Sequence, residues 1–403
     1  MASGHFAPAV IDGAPRQSTR RPAWLPAPLL PALLLAGCAA QAPSAPDLAQ
    51  AREAQWAASG AGLLADGTAP LETPESLLHI TDEMRAFAVA AVRRGHTEST
   101  RVEALAMALN SAHGLHMEYD SEATLTPEEA FRQRRANCLS YTLLFVALAR
   151  SQGIDARFNE VDVPPVWDLG DERISLLYRH INARVDRPGL PTPVVDVSDE
   201  YDPYYPQRTV SDAVAEAQYY NNRSVDLRIA RQPLQALRYE ARALQLAPQA
   251  AYLWTNLAAL YLQMDQPRAA RVAIDQALRL DDADPLAYDT AANVYQGAGE
   301  PQLAARYREM GEDFRDRNPY YHYQLGLAAL RGGNAARAQQ ELAQAIELYG
   351  SDARFHFLMA LALSDLGETR KANRALDTAI ALAPTEAQQE RYKSKFARLA
   401  KQG

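Results

Sequence analysis

The sequence predicts two unlike parts, an α+β domain followed by an all-α array of helical hairpins. Three observations carry this division. A capped, almost wholly apolar helix opens on a cysteine in residues 126–158. Short Val- and Pro-rich segments of strand character follow it, so helices come first and a small sheet after. From about residue 217 small residues recur at a fixed interval of 34. The length, 403 residues, leaves room for two or three domains, and 48% hydrophobic with 22% charged residues is a globular composition.

In the first block, Thr126, Pro127 and Glu129 read as N-cap, first helical residue and capping-box partner. They predict a short helix that carries the basic run 132–135 up to Asn137. Asn137 can cap the next helix, whose apolar side chains (Leu143, Leu144, Phe145, Val146, Leu148) surround it almost completely, as in a helix buried on most sides. Gly153 ends it, and residues 154–158 read as a strand. Cys138 is therefore expected at a helix N-terminus, where open amides and the dipole favour a thiolate. A free cysteine is also among the most buried residue types, so core filler is the competing reading.

The first 37 residues are set aside as a leader: Arg16, Arg20 and Arg21 precede an apolar stretch too short for a stable membrane span. Its end, Leu35-Ala36-Gly37-Cys38, resembles the lipobox of bacterial lipoproteins, which implies cleavage before Cys38 and lipid on its thiol. Ala39 rather than Asp after that cysteine resembles an outer-membrane address, so the expected location is the periplasmic face of the outer membrane. Residues 38–75, rich in Ala, Pro, Ser and Gly, read as a tether. The formal charge of −8 excludes a phosphate-neutralising surface and hence a nucleic-acid partner. Two cysteines exclude a cysteine-rich metal site, and with Cys38 lipidated, Cys138 has no intramolecular partner.

Helical patterns at residues 81–94 and 100–112 can pack on the buried helix. His113 and His116 follow without the carboxylates or further histidines of a metal site, so neither metal nor cofactor is expected. Strand texture at residues 174–185 and 192–197 then brings His180 and Asp196. Cysteine at a helix start, histidine in a strand 42 residues on and aspartate 16 residues later is an order suited to nucleophile, base and orienting acid. On one face of adjoining strands, about 5 Å apart, histidine and aspartate can meet.

These residues resemble the transglutaminase-like domain of the papain-like cysteine enzyme superfamily over residues 76–210. The resemblance implies a catalytic Cys138, His180 and Asp196 and acyl transfer at an amide or ester, with the Cys138 amide stabilising the oxyanion. Hydrolysis and cross-linking both remain open. Three departures stand out: Ala136 where glycine is usual, Ile181-Asn182 where an Ala-Trp-like pair commonly follows the histidine, and Val197 in place of proline. Tyr201, Tyr204 and Tyr205 either line a cleft or cap the sheet.

In the C-terminal part, Ala236, Ala270, Ala304, Ala338 and Ala372 form one column and Ala243, Ala277, Gly311, Ala345 and Ala379 a second. Asp265, Gly299, Gly333 and Gly367 share a turn column. The pattern resembles tetratricopeptide repeats over residues 217–384, about five units with a degenerate first, and a capping helix over 385–403. That implies a module binding a protein or peptide, with Tyr252, Thr255, Asp289, Asn293, Tyr320, Tyr323, Phe357 and Ser364 on its concave side. The expectation is a membrane-anchored thiol enzyme with recruiting repeats, or else a non-enzymatic envelope assembly lipoprotein that uses both parts for docking.

Overall fold

The computed structural model describes residues 71–73, 75–93, 95, 97–163, 180–185, 194–196, 205–383 and 386–399. They group into two compact units, one of residues up to Val161 with Ile181–Pro248, the other of Asp162–His180 with Gln249 onward. The leader, Cys38, Tyr201 and Tyr204 lie outside the described residues.

In the first unit, helices α1 (Asp82–Val92) and α2 (Glu98–Asn110) pack beside helix α4 (Cys138–Ser151). A bridge strand β1 (Glu118–Tyr119) and helix α3 (Pro127–Gln133) intervene. The capping box is made as expected: Thr126 N–H donates to Glu129 Oε2 (2.9 Å) and Glu129 N–H to Thr126 Oγ1 (3.3 Å). The helix does not carry its basic run to Asn137. Arg134 takes a left-handed conformation (φ 58°), and Arg135–Ala136 leave as strand β2, parallel to β1. Glu118 N–H to Arg134 O (2.8 Å) and Asp120 N–H to Ala136 O (3.0 Å) hold that exit.

Every residue of α4 from Leu139 to Ala149 is buried. Its polar members are satisfied locally, Ser140 Oγ accepting from Leu125 N–H (2.8 Å) while donating to Ala123 O (3.1 Å). Gly153 (φ 72°) turns the chain into strand β3 (Ala156–Val161), two residues later than the sequence suggests and reaching three further. Strands β4 (His180–Val185), β5 (Val194–Val195) and β6 (Gln207–Val210) complete a sheet in the order β5-β4-β3-β6. Residues 174–179 of the expected strand lie outside the described residues. Strand β6, antiparallel to β3, was not expected; it is a short, polar edge strand without apolar alternation.

Helix α5 (Asp212–Ile229) starts before residue 217 because Ser211 caps it. With α6 (Pro233–Leu246) it makes the first hairpin, which belongs to the same unit as the sheet. Arg150, in the last turn of α4, gives Nη1 and Nη2 to the two Asp212 oxygens (2.6 and 2.9 Å) and Nε to Ala156 O (2.9 Å). Glu160 of β3 pairs with Arg208 of β6 and accepts from Gln218 Nε2 of α5 (2.9 Å). The end of the stretch read as a tether is also held. Glu72 Oε1 and Oε2 accept from the hydroxyls of Tyr219 (3.2 Å) and Tyr239 (2.8 Å), and its carbonyl from Tyr220 (2.5 Å).

In the second unit the hairpins α7 (Ala251–Gln263) with α8 (Pro267–Leu280), α9 (Pro285–Gly297) with α10 (Pro301–Asp316), α11 (Pro319–Arg331) with α12 (Ala335–Leu348) and α13 (Ala353–Asp365) with α14 (Thr369–Leu382) lead to a final helix α15 (Glu386–Leu399). Both small-residue columns are buried, and at Gly311 an added Cβ would lie 2.8 Å from Asp289 Oδ1. The turn column is a column of left-handed residues, Asp265 (φ 58°), Gly299 (78°), Gly333 (71°) and Gly367 (74°), and it includes Arg231 (59°) in the first hairpin. A further 34-residue column is visible only in space: Tyr288, His322 and His356 each bond the carbonyl six residues earlier, at Asp282 (2.7 Å), Asp316 (3.1 Å) and Gly350 (2.8 Å).

Two stability predictions follow from the hairpins. Left-handed backbone strains side chains with a Cβ, more in arginine than in aspartate, so Arg231→Gly should stabilise by about 1 kcal/mol and Asp265→Gly by less. Denaturant midpoints read both. Glu240 of α6 is fully buried, and among the described residues neither carboxylate oxygen accepts a hydrogen bond, the neighbouring Ser224 hydroxyl being turned to Ala236 O (3.0 Å). Burial pushes its carboxyl up to about 8, against the opposing pull of Ser224 and Arg228 on α5. A raised folded value means stability is full below the ordinary 4.5 and is lost as pH rises towards 8, by on the order of 3–5 kcal/mol. Glu240→Gln should flatten that loss in unfolding measured from pH 5 to pH 8.

Candidate active site

Cys138 is the first residue of α4 and is half-buried. Asn137 caps the helix, its side chain accepting from Ser140 N–H (2.8 Å), while Tyr141 N–H bonds Asn137 O (3.0 Å). The Cys138 and Leu139 amides are thus the open donors of the first turn among the described residues. A second bond on Asn137, from its Nδ2 to Thr124 Oγ1 (3.1 Å), fixes the cap itself.

Thr142, one turn further along α4, ties the sheet to this point. Its hydroxyl lies 2.7 Å from Cys138 O and 3.2 Å from Ile181 O, the second residue of β4. The first residue of that strand is His180, which is half-buried. By strand alternation His180 and Asn182 share a face, opposite to Ile181 and Ala183.

Asp196 directly follows β5. The register Arg184↔Val194, Ala183↔Val195 sets Asn182 opposite Asp196 at its next step. Asn182 Nδ2 donates to Asp196 Oδ2 (3.0 Å). Asn159 of β3 donates through Nδ2 to both Asn182 Oδ1 (2.8 Å) and Gln207 Oε1 of β6 (2.9 Å). Burial raises the Tyr141 phenol of α4 well above its ordinary value; Asn110 acts the other way, and the Asp196 charge adds to the rise.

Sequence reading missed Thr142, Asn159, Asn182 and Gln207 as parts of this region. In the sequence Asn182 stands out only as a departure after the histidine. A further signal is Asn159 itself, a polar residue beside Phe158 at the end of the predicted strand. His113 and His116 are exposed, and among the described residues no group of three His, Cys, Asp or Glu side chains could hold a metal ion. No described helix is long and apolar enough to cross a membrane.

Several expected concave positions of the repeats prove to be core. Tyr252, Thr255 and Phe357 are buried, Phe357 under a stacked Tyr392 of α15 (4.7 Å between centroids). Asp289 is occupied by Arg315 (2.7 Å). Tyr320 and Tyr323 remain half-buried beside Phe355, with Arg354 over both rings.

The transglutaminase-like superfamily matches residues 85–173, a span that contains Cys138 and stops short of His180 and Asp196. A tetratricopeptide repeat matches residues 251–284. Human protein O-mannosyl-transferase TMTC3 is 28% identical over 158 residues, 38% of this chain and 17% of that protein. A TPR repeat-containing protein of Pseudomonas aeruginosa is 34% identical over 91 residues, 23% of this chain and 36% of its own length. The chain thus spans about a third or less of these two relatives. Among solved structures, the TPR protein YrrB is 21% identical, covering 44% of this chain and 92% of its own, with a TM-score of 0.24. PilF of Pseudomonas aeruginosa is 16% identical, covering 47% and 86%, with a TM-score of 0.26. Together with the helix-then-sheet order around Cys138 and the 34-residue hairpins, the two family matches, over residues 85–173 and 251–284, identify a chain with a transglutaminase-like core domain followed by tetratricopeptide repeats.

Proposed function

We propose that the first domain is a thiol acyl-transfer centre with Cys138 as nucleophile, His180 as base and Asp196 as the acid that orients it. The observation that carries this reading is the Thr142 hydroxyl joining the first turn of α4 to the start of β4, beside His180. His180 takes the Cys138 proton and the thiolate attacks the carbonyl carbon of an amide or ester. The Cys138 amide receives the resulting oxyanion. The imidazolium returns its proton to the departing amine or alcohol, which leaves a thioester. Water or an amine then adds to the thioester and regenerates the thiol, giving hydrolysis or cross-linking respectively. In this reading lipid on Cys38 anchors the protein to the cell envelope, at the periplasmic face of the outer membrane, and the repeats hold a protein or peptide.

One observation favours a second reading. The residues flanking Cys138 and His180, Ala136 and Ile181-Asn182, depart from the family pattern. A non-enzymatic assembly lipoprotein would use the same surfaces for docking alone.

Alkylation separates the two. Iodoacetamide should modify Cys138 at pH 7 faster than free cysteine, and His180→Ala should slow it by about tenfold or more. A thiol that reacts slowly and ignores that substitution sinks the enzyme reading. If it holds, release of a peptide without uptake of a labelled amine marks a hydrolase, and uptake marks a cross-linker. For the anchor, the full-length protein made in a bacterial host should partition into detergent, and the Cys38→Ser variant into the aqueous phase.

A further inference from the structure

A chain of three amide side chains crosses the whole sheet and ends on Asp196. Gln207 sits in β6, Asn159 in β3 and Asn182 in β4, one per strand, and Asp196 follows β5, so the chain runs in the order of the strands themselves. Asn159 and Asn182 are fully buried. Burying amides costs more than burying leucine unless their polar atoms are matched, and among the described residues Asn159 Oδ1 has no hydrogen-bond partner. A merely structural filler of this volume would be apolar.

The bonds also have a direction. Asn159 spends both hydrogens of Nδ2, on Gln207 Oε1 and on Asn182 Oδ1. With its oxygen engaged, Asn182 can turn only its NH2 end to Asp196, and it does so at Oδ2. That fixes the plane of the carboxylate and commits one named oxygen, leaving Oδ1 to face other partners. The register adds the second constraint: Asn182 stands directly across from Asp196, while His180, two residues back on the same face, is diagonal to it.

We propose that Asn182 is a positioning residue: it holds Asp196 in the rotamer that presents Oδ1 towards His180, and Asn159 and Gln207 hold Asn182. This rests on the reading of Cys138, His180 and Asp196 as a triad. It gives the asparagine that follows the histidine by two residues a task in this chain, where the family pattern leads one to expect a tryptophan-like residue.

The test is the pH profile of Cys138 alkylation by iodoacetamide in the full chain, with thermal unfolding of each variant as a control. In Asn182→Ala the rate at pH 7 should fall by about tenfold. Its pH profile should change in the same direction as that of Asp196→Asn. The double variant should be no slower than Asp196→Asn alone, because Asn182 acts through that carboxylate. Should Asn182→Ala fail to fold, replacing Asn159 and Asn182 together by leucine removes both halves of the buried pair and reads the same profile. A His180-dependent wild-type profile that Asn182→Ala leaves unchanged overturns this inference alone, as does a loss that persists in full on top of Asp196→Asn. A wild-type thiol that is slow and indifferent to His180→Ala overturns the triad and this inference together.

Discussion

Helix α4 has no solvent face from Leu139 to Ala149, and the rest of the first unit is arranged around that fact. A helix enclosed on all sides cannot slide or rotate without opening cavities, each at a cost of a few kcal/mol, so its first residue is held as firmly as its middle. Cys138 gains accessibility only by standing at the end of this rod. The other end is closed by polar bonds: Arg150 bridges to β3 and α5, and Arg101 Nη2 caps the carbonyl of Gln152 at 2.6 Å. The first tetratricopeptide-like hairpin is thereby drawn into the same unit as the sheet.

The sheet beside the helix is governed by a different kind of constraint. Its apolar side packs by shape, while its polar side is organised by donor and acceptor counting. Asn159 and Asn182 in the sheet, like Asn137, Ser140 and Thr142 at the start of α4 beside it, sit where an alkane would be cheaper, and each bonds a backbone carbonyl, a backbone amide or another polar side chain. Networks of this sort are unforgiving of partial loss, since a single deletion leaves a buried partner unmatched.

What could be read from the sequence was what is encoded locally. The capping box at Thr126, the Asn137 cap and the small-residue columns depend on neighbours one turn or one repeat away, and all were legible. The basic run leaves the helix after Gln133 because Arg134 adopts a left-handed conformation that arginine seldom signals. Strand β6 and the amide chain were hidden because cross-strand partners are set by register, which composition does not fix. The concave face of the repeats was misassigned in part for a related reason: a column names the phase of a residue on its own helix but not what lies over it, and Tyr392 lies over Phe357. The matched family span likewise ends before His180 and Asp196, the residues proposed to act with Cys138.

The clasp on Glu72 has a mechanical side. Two phenolic hydroxyls on its carboxylate and one on its carbonyl make a three-point attachment between the N-terminal segment and α5–α6. A pull on that segment enters the folded body at the hairpin. It is spread over tyrosines that are themselves wedged by Arg223 and Arg242, whose guanidinium groups lie over the rings of Tyr239 and Tyr220. A load applied at Glu72 is thus shared between both helices of the first hairpin.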